Sequence, residues 1–463
     1  MSGAPSPLLR AALALAATSE RAPKPRYVTT WERRITRRGI LWLGQTCNLR
    51  CRFCYFLDRI EDESHPEHAF MTLEKAKSIC RTLVEYYGNN SIDIQGGEPT
   101  LWPDIYELVA YCATIGLSPT LITNAQALAS REVVERYRRA GLRDFLVSVQ
   151  ALGPAYDALV GREGAHVRQM KALRNLQEAG VPFRFNTVLS KPALEQLDDI
   201  AELAIRTGAE VVNLLGFNPF NDQETGKRSA ENVPRYSELR QPLERALDRL
   251  AAAGIEANVR YLPLCVVSER FRHAVYDFPQ IPYDLHENDF ASWSWTDLPA
   301  QRRRDAETTP PFGLGQRLEL GALRAPLRRL STKLPVLGDA LHGVKQELER
   351  RWASRRSPLT LDERYREDAR MRAVEYTGYR HVEGCAECDL RRICDGFYAD
   401  YLEIFGADEA RPVSLGQAVD DPQLYSRQQP KRIHPFDVAW VGGGEGSARE
   451  AGPMSSSPAV DPR

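Results

Sequence analysis

Three cysteines, Cys47, Cys51 and Cys54, occur in one short segment with the spacing C-x3-C-x2-C. They follow an apolar run at residues 40–43 that predicts a buried strand. Iron in a [4Fe–4S] cluster is normally held by four thiolates, so three thiolates in one loop would leave one iron open to a small molecule. Structural zinc is the alternative, but zinc sites usually combine two ligand groups of similar size. The sequence around residue 50 supplies no second group, and the spacing therefore favours an iron–sulfur cluster.

A second motif, Gly96, Gly97, Glu98 and Pro99, closes the next apolar run at residues 91–95. Two glycines allow a backbone to approach a ligand closely, and the glutamate adds a fixed carboxylate. Together with the cysteine spacing and an aromatic Phe53, this motif resembles the radical S-adenosylmethionine (SAM) enzymes. The resemblance implies a [4Fe–4S] cluster on the three cysteines, with SAM chelated by the open iron and its amino group contacted by the Gly-Gly-Glu-Pro segment.

Short apolar runs alternate with helical patterns between residues 39 and 254, and most of the helical patterns end in a glycine, which is a common helix stop. This alternation predicts a parallel sheet with helical crossovers. The count matches the partial (β/α)6 TIM-like barrel that the resemblance implies, in which chemistry occurs at the carboxyl ends of the strands. The predicted strands cover residues 40–44, 91–95, 119–123, 145–149, 183–189 and 211–217.

Polar residues follow several of these strands. Thr123 and Asn124 end the third strand, where the resembled family often has Thr-Asn-Gly. Ser148 ends the fourth strand and Asn186 lies in the fifth. The resemblance implies that Ser148 and Asn186 contact SAM, and a strand-end cap or turn is the alternative for each.

Another cysteine group follows the predicted barrel, with Cys385, Cys388 and Cys394 in the spacing C-x2-C-x5-C. It is similar to part of the SPASM/Twitch extension of radical SAM enzymes, which holds auxiliary iron–sulfur clusters. The next cysteine of that pattern is replaced by Tyr398, and Cys265 supplies the other thiol expected after the barrel. Four thiolates suit one auxiliary [4Fe–4S] cluster, and tetrahedral zinc is the alternative.

These motifs divide the chain into five predicted regions. Within the third of them, a basic amphipathic stretch at residues 317–337 predicts a solvated surface helix, with a lid or a surface that meets a membrane or a partner as the alternative. The regions are a loosely ordered segment at 1–38, a radical SAM core at 39–265, an insertion or lid at 266–380, a smaller irregular auxiliary-cluster extension at 381–440 and a disordered tail at 441–463.

The composition is that of an ordinary globular protein, with 43% apolar and 27% charged residues. A formal net charge of −1 gives no basic field for nucleic acid. Nine cysteines without a secretory signal favour metal or redox chemistry in the reducing cytoplasm. Cys80 and Cys112 lie on the apolar faces of helical patterns and are predicted to be core residues. The amino-terminal apolar stretch is too short to span a membrane.

The resemblance implies an enzyme that reductively cleaves SAM to a 5′-deoxyadenosyl radical, which takes a hydrogen atom from a substrate C–H bond. An electron donor such as flavodoxin or ferredoxin is then the expected partner. Only 38 residues precede the first predicted strand, which favours a small natural-product or sugar-like substrate that is dehydrogenated, epimerised or dehydrated. A ribosomally made peptide is the first alternative, and a non-catalytic zinc-stabilised binding protein is the second.

Overall fold

In the part of the chain that the structure describes, eight parallel strands form the central sheet, in the order β8-β7-β6-β5-β4-β3-β2-β9. The computed structural model describes residues 5–16, 27–32, 36–54, 56–65, 68–85, 88–217, 228–289 and 378–435. The strands of this sheet are β2 (Thr36–Trp42), β3 (Ser91–Gln95), β4 (Ser118–Thr123), β5 (Asp144–Ser148), β6 (Phe183–Leu189), β7 (Val211–Gly216), β8 (Glu256–Arg260) and β9 (Leu285–Asp289).

Helices connect the successive strands and cover one face of the sheet, as the alternating pattern predicts. Helix α1 (Pro7–Ala16) precedes the sheet. The connecting helices are α2 (Leu57–Glu61), α3 (Leu73–Glu85), α4 (Ile105–Thr114), α5 (Arg131–Ala140), α6 (Pro154–Val160), α7 (Ala165–Ala179), α8 (Lys191–Glu195), α9 (Leu197–Thr207) and α10 (Tyr236–Ala252). Gly141, Gly180 and Gly208 end their helices with positive φ, which confirms the predicted glycine stops.

The predicted α/β fold with a partial TIM-like barrel is confirmed. All six predicted strands are present as β2 to β7, each within one or a few residues of its expected bounds. Two further parallel strands extend the sheet at its edges, since β8 pairs with β7 and β9 pairs with β2. The sheet therefore continues past residue 265, where the sequence predicts that the core ends.

A buried ion pair lies at the amino end of the strands. The Asp144 carboxylate on β5 accepts hydrogen bonds from Arg184 Nε (2.8 Å), Thr120 Oγ1 and Tyr27 Oη. Asp144 is fully buried and the Arg184 side chain is 14% exposed. A charged pair is retained in such a place only when hydrogen bonds satisfy it, and this network fixes the amino end of the sheet.

Two short strands from opposite halves of the chain pair beside this network. Strand β1 (Val28–Thr30) pairs antiparallel with β10 (Lys431–Ile433). Lys431 Nζ lies 2.9 Å from Glu256 Oε1 and 3.0 Å from Asn258 Oδ1, both on β8. This two-stranded ladder therefore ties the carboxyl-terminal segment to the amino half of β8.

Residues 1–38, for which the sequence predicts a loosely ordered segment, contain the helix α1. Its Leu9, Ala12 and Ala16 side chains are buried. Gln177 on α7 donates to the Ala16 carbonyl oxygen at 2.7 Å, and Ser6 donates to Asp199 on α9. The helix is thus held against the outer layer of the barrel.

The carboxyl-terminal unit, residues 378–435, packs on the amino end of α10. It contains α11 (Ala399–Phe405), whose Tyr401 stacks on Tyr236 with ring centroids 3.8 Å apart. The Glu409 carboxylate accepts hydrogen bonds from the backbone N–H groups of Tyr236 (3.2 Å) and Ser237 (3.0 Å). Because the first N–H groups of a helix lack partners within it, this carboxylate caps α10 from another unit.

Three expectations concern residues outside the described ranges. These are the basic amphipathic stretch at 317–337, most of the predicted insertion at 266–380 and the predicted tail at 441–463. Within the described part of the chain, no helix combines the length and apolarity needed to cross a membrane.

Candidate active site

The loop that follows β2 is bonded to the loop that follows β3. The Gly97 N–H donates to the Gly44 carbonyl oxygen at 2.7 Å, and the Glu98 N–H donates to the Thr46 carbonyl oxygen at 2.9 Å. These bonds continue the β2–β3 ladder beyond both strands. A Cβ atom on Gly97 would lie 2.2 Å from the Thr46 oxygen, which no side chain tolerates. The glycine pair is therefore required where the two loops meet, directly before Cys47.

The cysteine loop is fixed from its other side by the end of α6. Arg50 N–H donates to the Val160 carbonyl oxygen at 2.9 Å, and Arg52 N–H donates to the Leu159 carbonyl oxygen at 3.0 Å. Leu49, only 2% exposed, packs with Leu159 and Val160 in a small apolar cluster, against which Phe53 and two of the cysteines lie. The loop thus has a defined position at the carboxyl edge of the sheet.

The three thiols of this loop interact with one another. Burial, followed by the nearby Glu98 carboxylate, raises the pKa of Cys47 to about 12. Burial also raises the pKa of Cys51, followed by the effects of Cys54 and Cys47. Thiolates this close repel each other unless a cation is bound between them, and a metal deprotonates its ligand thiols outright. This buried group of three thiols suits the three-cysteine side of an iron–sulfur cluster.

Glu98 lies under the cysteine loop with its carboxylate 1% exposed. Oε1 accepts from the Thr100 hydroxyl (2.6 Å) and N–H (3.2 Å) and from the Thr123 hydroxyl (2.7 Å), while Oε2 accepts from the Asn124 N–H (2.8 Å). Burial raises the pKa of Glu98, and these hydrogen bonds oppose that rise. The carboxylate thus joins the ends of β3 and β4.

Asn124 extends this connection to the cysteine loop. Its Nδ2 donates to Asn48 Oδ1 at 2.8 Å, and Asn48 directly follows Cys47. The next residue, Ala125, has a φ of 63°, which favours glycine, and it stands where the resembled Thr-Asn-Gly has its glycine. The sequence predicts Thr123 and Asn124 as strand-end residues, but it gives no signal for the contact with Asn48.

Glu98→Gln is expected to lower the free energy of unfolding by about 1–3 kcal/mol. Whichever way the new amide is oriented, its NH2 group faces a backbone N–H of Thr100 or Asn124, and one buried donor loses its acceptor. Urea unfolding measures the change. Glu107→Gln is the matched control, because Glu107 is exposed and pairs only with Lys77 at the surface. Equal midpoints for the two variants would contradict the assigned role.

Polar side chains cross the sheet in one row on the face that the helices leave open. Ser148 is in register with Asn186, Asn186 with Asn213, and Asn213 with Asn258. Residues in register on parallel strands share a face, and all four are partly exposed. Asn258 Nδ2 donates to Asn213 Oδ1 at 3.4 Å. Sequence reasoning names Ser148 and Asn186 but misses the other two, which no motif marks.

The four cysteines of the second group lie together in the structure. Cys265, Cys385, Cys388 and Cys394 line one pocket, and His381 and Arg391 are also on its wall. Burial raises the pKa of Cys265, and the Cys385 and Cys388 thiolates raise it further. The thiols are therefore close enough to interact, although they come from segments more than 100 residues apart in sequence.

Backbone N–H groups also point at these sulfur atoms. Cys394 Sγ accepts from the Leu264 N–H at 3.5 Å and from the Gly396 N–H at 3.4 Å, and Cys388 Sγ accepts from the Val413 N–H at 3.4 Å. N–H donors of this kind stabilise thiolates. The donors and the four thiols fit a bound iron–sulfur cluster.

Tyr398, which replaces a cysteine of the resembled pattern, lies outside this pocket. Its ring is 2% exposed and packs against Tyr379 and Tyr401.

Pro99, the last residue of the Gly-Gly-Glu-Pro motif, is buried at the start of a short 3-10 turn, Pro99–Leu101. Among the described residues, no three His, Cys, Asp or Glu side chains are arranged as a single-ion site.

Comparison with known proteins agrees with this geometry. Residues 43–204 match the family described as the radical SAM superfamily. The chain is 31% identical over 176 residues to the AdoMet-dependent heme synthase of Oleidesulfovibrio alaskensis, covering 37% of this chain and 43% of that protein. It is 30% identical over 175 residues to the PqqA peptide cyclase of Bradyrhizobium diazoefficiens, covering 37% and 44%. The chain thus spans less than half the length of these relatives.

Among solved structures, the chain is similar to Streptococcus suis SuiB bound to S-adenosylmethionine, with 21% identity and a TM-score of 0.42. The similarity covers 55% of this chain and 58% of that one. The matched family segment contains the three-cysteine loop, the Gly-Gly-Glu-Pro segment and strands β3 to β6. Residues 43–204 are therefore a radical SAM domain.

Proposed function

We propose that this protein is an enzyme that reductively cleaves SAM and uses the resulting 5′-deoxyadenosyl radical to take a hydrogen atom from a substrate C–H bond. The observation that carries the proposal is the loop of three interacting thiols, Cys47, Cys51 and Cys54, held at the carboxyl edge of the sheet. When bound by these thiols, a [4Fe–4S] cluster supplies the electron that cleaves SAM.

The protein's own residues orient the reactants. The glycine pair Gly96 and Gly97 keeps backbone rather than side chain next to the cysteine loop, so that SAM can approach closely. Glu98 and Asn124 fix the loop relative to β3 and β4. Ser148 and Asn186 present a hydroxyl and an amide on the open face, and we assign them to the polar groups of SAM.

An auxiliary [4Fe–4S] cluster on Cys265, Cys385, Cys388 and Cys394 forms the second part of the proposal. What supports it is the single pocket that all four thiols line, with N–H donors on Cys388 and Cys394. Such a cluster would accept an electron from the substrate radical or relay electrons. Zinc on the same thiols is the competing assignment, and it gives a colourless site in place of brown iron.

Cys385→Ala is expected to lose turnover of the true substrate while it retains the SAM-binding cluster and slow uncoupled SAM cleavage. Iron content should fall to about half that of the wild type, since one of two four-iron clusters is lost. Iron and sulfide analysis after anaerobic reconstitution measures this. Unchanged iron content would argue against an auxiliary cluster, and a loss of all SAM cleavage would show that the two sites are not independent.

For the substrate, we propose a small natural-product or sugar-like molecule. The open face of the sheet carries hydroxyl and amide groups that include Asn213, and such groups suit a substrate rich in hydrogen-bonding groups. A ribosomally made peptide is the second candidate, favoured by the 30% identity to a PqqA peptide cyclase. We place the protein in the reducing cytoplasm, because seven of its nine cysteines are assigned here to iron–sulfur clusters.

The test is 5′-deoxyadenosine formation by the anaerobically reconstituted protein with SAM and dithionite. Formation of the nucleoside supports the proposal, and deuterium transfer from labelled candidate substrates into it then identifies the substrate class. A zinc-loaded protein that forms none would overturn the proposal in favour of a non-catalytic binding protein. An iron-loaded protein that forms none with any candidate substrate would also contradict it.

A further inference from the structure

A buried amide on α7 connects three elements that surround the cysteine loop. Gln169 is 0% exposed, and its Nε2 donates to the carbonyl oxygens of Ser148 at 2.8 Å and Asn124 at 3.3 Å. The same nitrogen donates to Tyr156 Oη at 2.9 Å. Ser148 ends β5, Asn124 follows β4 and Tyr156 lies on α6. Gln169 therefore joins two strand ends to the helix whose carboxyl end holds the cysteine loop.

The two carbonyl oxygens determine which way this amide faces. A carbonyl oxygen only accepts hydrogen bonds, so the group of Gln169 that faces Ser148 and Asn124 must be its NH2 group. Tyr156 Oη is bonded to the same nitrogen and is therefore an acceptor. The hydrogen of the Tyr156 hydroxyl is left over, and no residue in the described part of the chain accepts it. Because an unpaired buried donor costs free energy, this O–H is available to an acceptor that binds at the site.

Tyr156 lies beside the thiols of the cysteine loop. Its side chain is 1% exposed and belongs to the small apolar cluster that contains Leu49, against which Cys47 and Cys51 pack. Burial raises the pKa of Tyr156 well above its usual value, and the negative charge of the Cys51 thiolate is the next cause. The hydroxyl is therefore near the sulfur atoms that are assigned to the cluster.

We propose that the Tyr156 hydroxyl, oriented by Gln169, donates a hydrogen bond to a sulfur atom of the iron–sulfur cluster bound by the cysteine loop. This inference rests on the proposed function and adds a residue that tunes the cluster. Reduction adds one electron, and thus one negative charge, to the cluster. A donor to its sulfur atoms therefore stabilises the reduced form more than the oxidised form. The hydrogen bond raises the reduction potential, and the cluster becomes easier to reduce before it cleaves SAM.

Tyr156→Phe removes the hydroxyl, keeps the ring and should make the cluster harder to reduce. We expect the equilibrium constant for its one-electron reduction to fall about tenfold, which corresponds to a potential about 59 mV more negative. A redox titration of the reconstituted holoenzyme with dithionite, followed by electron paramagnetic resonance, measures this shift. The signal that changes when SAM is added identifies the cluster of the cysteine loop, since SAM binds the open iron of that cluster.

Tyr137→Phe is the matched control. Tyr137 is a buried tyrosine on α5, and its ring packs against Tyr106 and Phe145 instead of the apolar cluster beside the cysteines. Loss of its hydroxyl should leave the potential unchanged. Gln169→Met removes the donor that orients the Tyr156 hydroxyl, and it should shift the potential in the same direction as Tyr156→Phe by a smaller amount.

Electron–nuclear double resonance gives a second readout, which does not depend on the size of the shift. The reduced wild-type cluster should show a coupling to an exchangeable proton that Tyr156→Phe lacks. An unchanged potential in Tyr156→Phe, an equal shift in Tyr137→Phe, or identical proton couplings in wild type and Tyr156→Phe would each overturn the inference. A reconstituted wild-type protein without any signal that responds to SAM would contradict the proposed function, and this inference with it.

Discussion

Cys51→Ala is expected to abolish 5′-deoxyadenosine formation from SAM. Cys51 is the central thiol of the loop in sequence, and burial, followed by the neighbouring Cys54 and Cys47, raises its pKa. Without it, two thiolates remain where a cluster needs three from this loop. Chromatographic measurement of 5′-deoxyadenosine after anaerobic reconstitution tests this, together with iron analysis. Alanine at position 47 or 54 should give the same result.

The matched control for this experiment is Cys112→Ala. Cys112 and Cys80 are buried in the layer between α3 and α4, with their sulfur atoms 3.7 Å apart, which confirms the prediction that both are core residues. The change should lower the free energy of unfolding by about 1 kcal/mol and leave SAM cleavage intact. Retained cleavage in Cys51→Ala, or its loss in the control, would contradict the assignment of the loop.

Most of the sheet was predictable because its middle strands, such as β3 and β5, are buried along nearly their whole length. Such strands read as short apolar runs, and parallel connections need helices between them. The exception is β9, Leu285–Asp289, which has one apolar residue in five. It belongs to the sheet because it pairs with β2, and no local pattern encodes a long-range pairing of that kind.

The candidate site likewise has parts that local sequence patterns predict and parts that only the folded sheet brings together. Cysteine spacing and the Gly-Gly-Glu-Pro segment are local patterns, and the sequence finds both. The bond between Asn48 and Asn124 joins residues 76 positions apart, and the row of Asn186, Asn213 and Asn258 depends on strand register. The glycine pair was predicted for close approach of a ligand, whereas the structure adds a second reason, contact with the backbone of Thr46. Register and loop contacts are properties of the folded sheet, so sequence reasoning could not reach them.

Asp144→Asn is expected to lower the free energy of unfolding by about 3–5 kcal/mol. The change leaves the Arg184 guanidinium, 14% exposed, without its carboxylate partner in the interior. It also weakens the acceptor for Thr120 and Tyr27. Urea unfolding followed by circular dichroism gives the difference. Arg184→Met in the same background should recover part of the loss, because removing both charges avoids an unpaired buried ion. A loss below about 1 kcal/mol would contradict this account.

The same carboxylate gives the stability a specific dependence on pH. Burial on its own would raise the pKa of Asp144. The guanidinium groups of Arg184 and Arg143 and the Thr120 hydrogen bond lower it by more than burial raises it, so the pKa of Asp144 lies well below its usual range. A group with a depressed folded pKa stabilises the protein above its unfolded pKa of about 3.9, and this stability is lost as pH falls through the folded pKa. The difference between wild type and Asp144→Asn should therefore be constant above about pH 5 and shrink below about pH 4. A difference that grows on acidification would instead mean that the carboxyl is protonated in the native protein, and the ion pair would not be what fixes the amino end of the sheet.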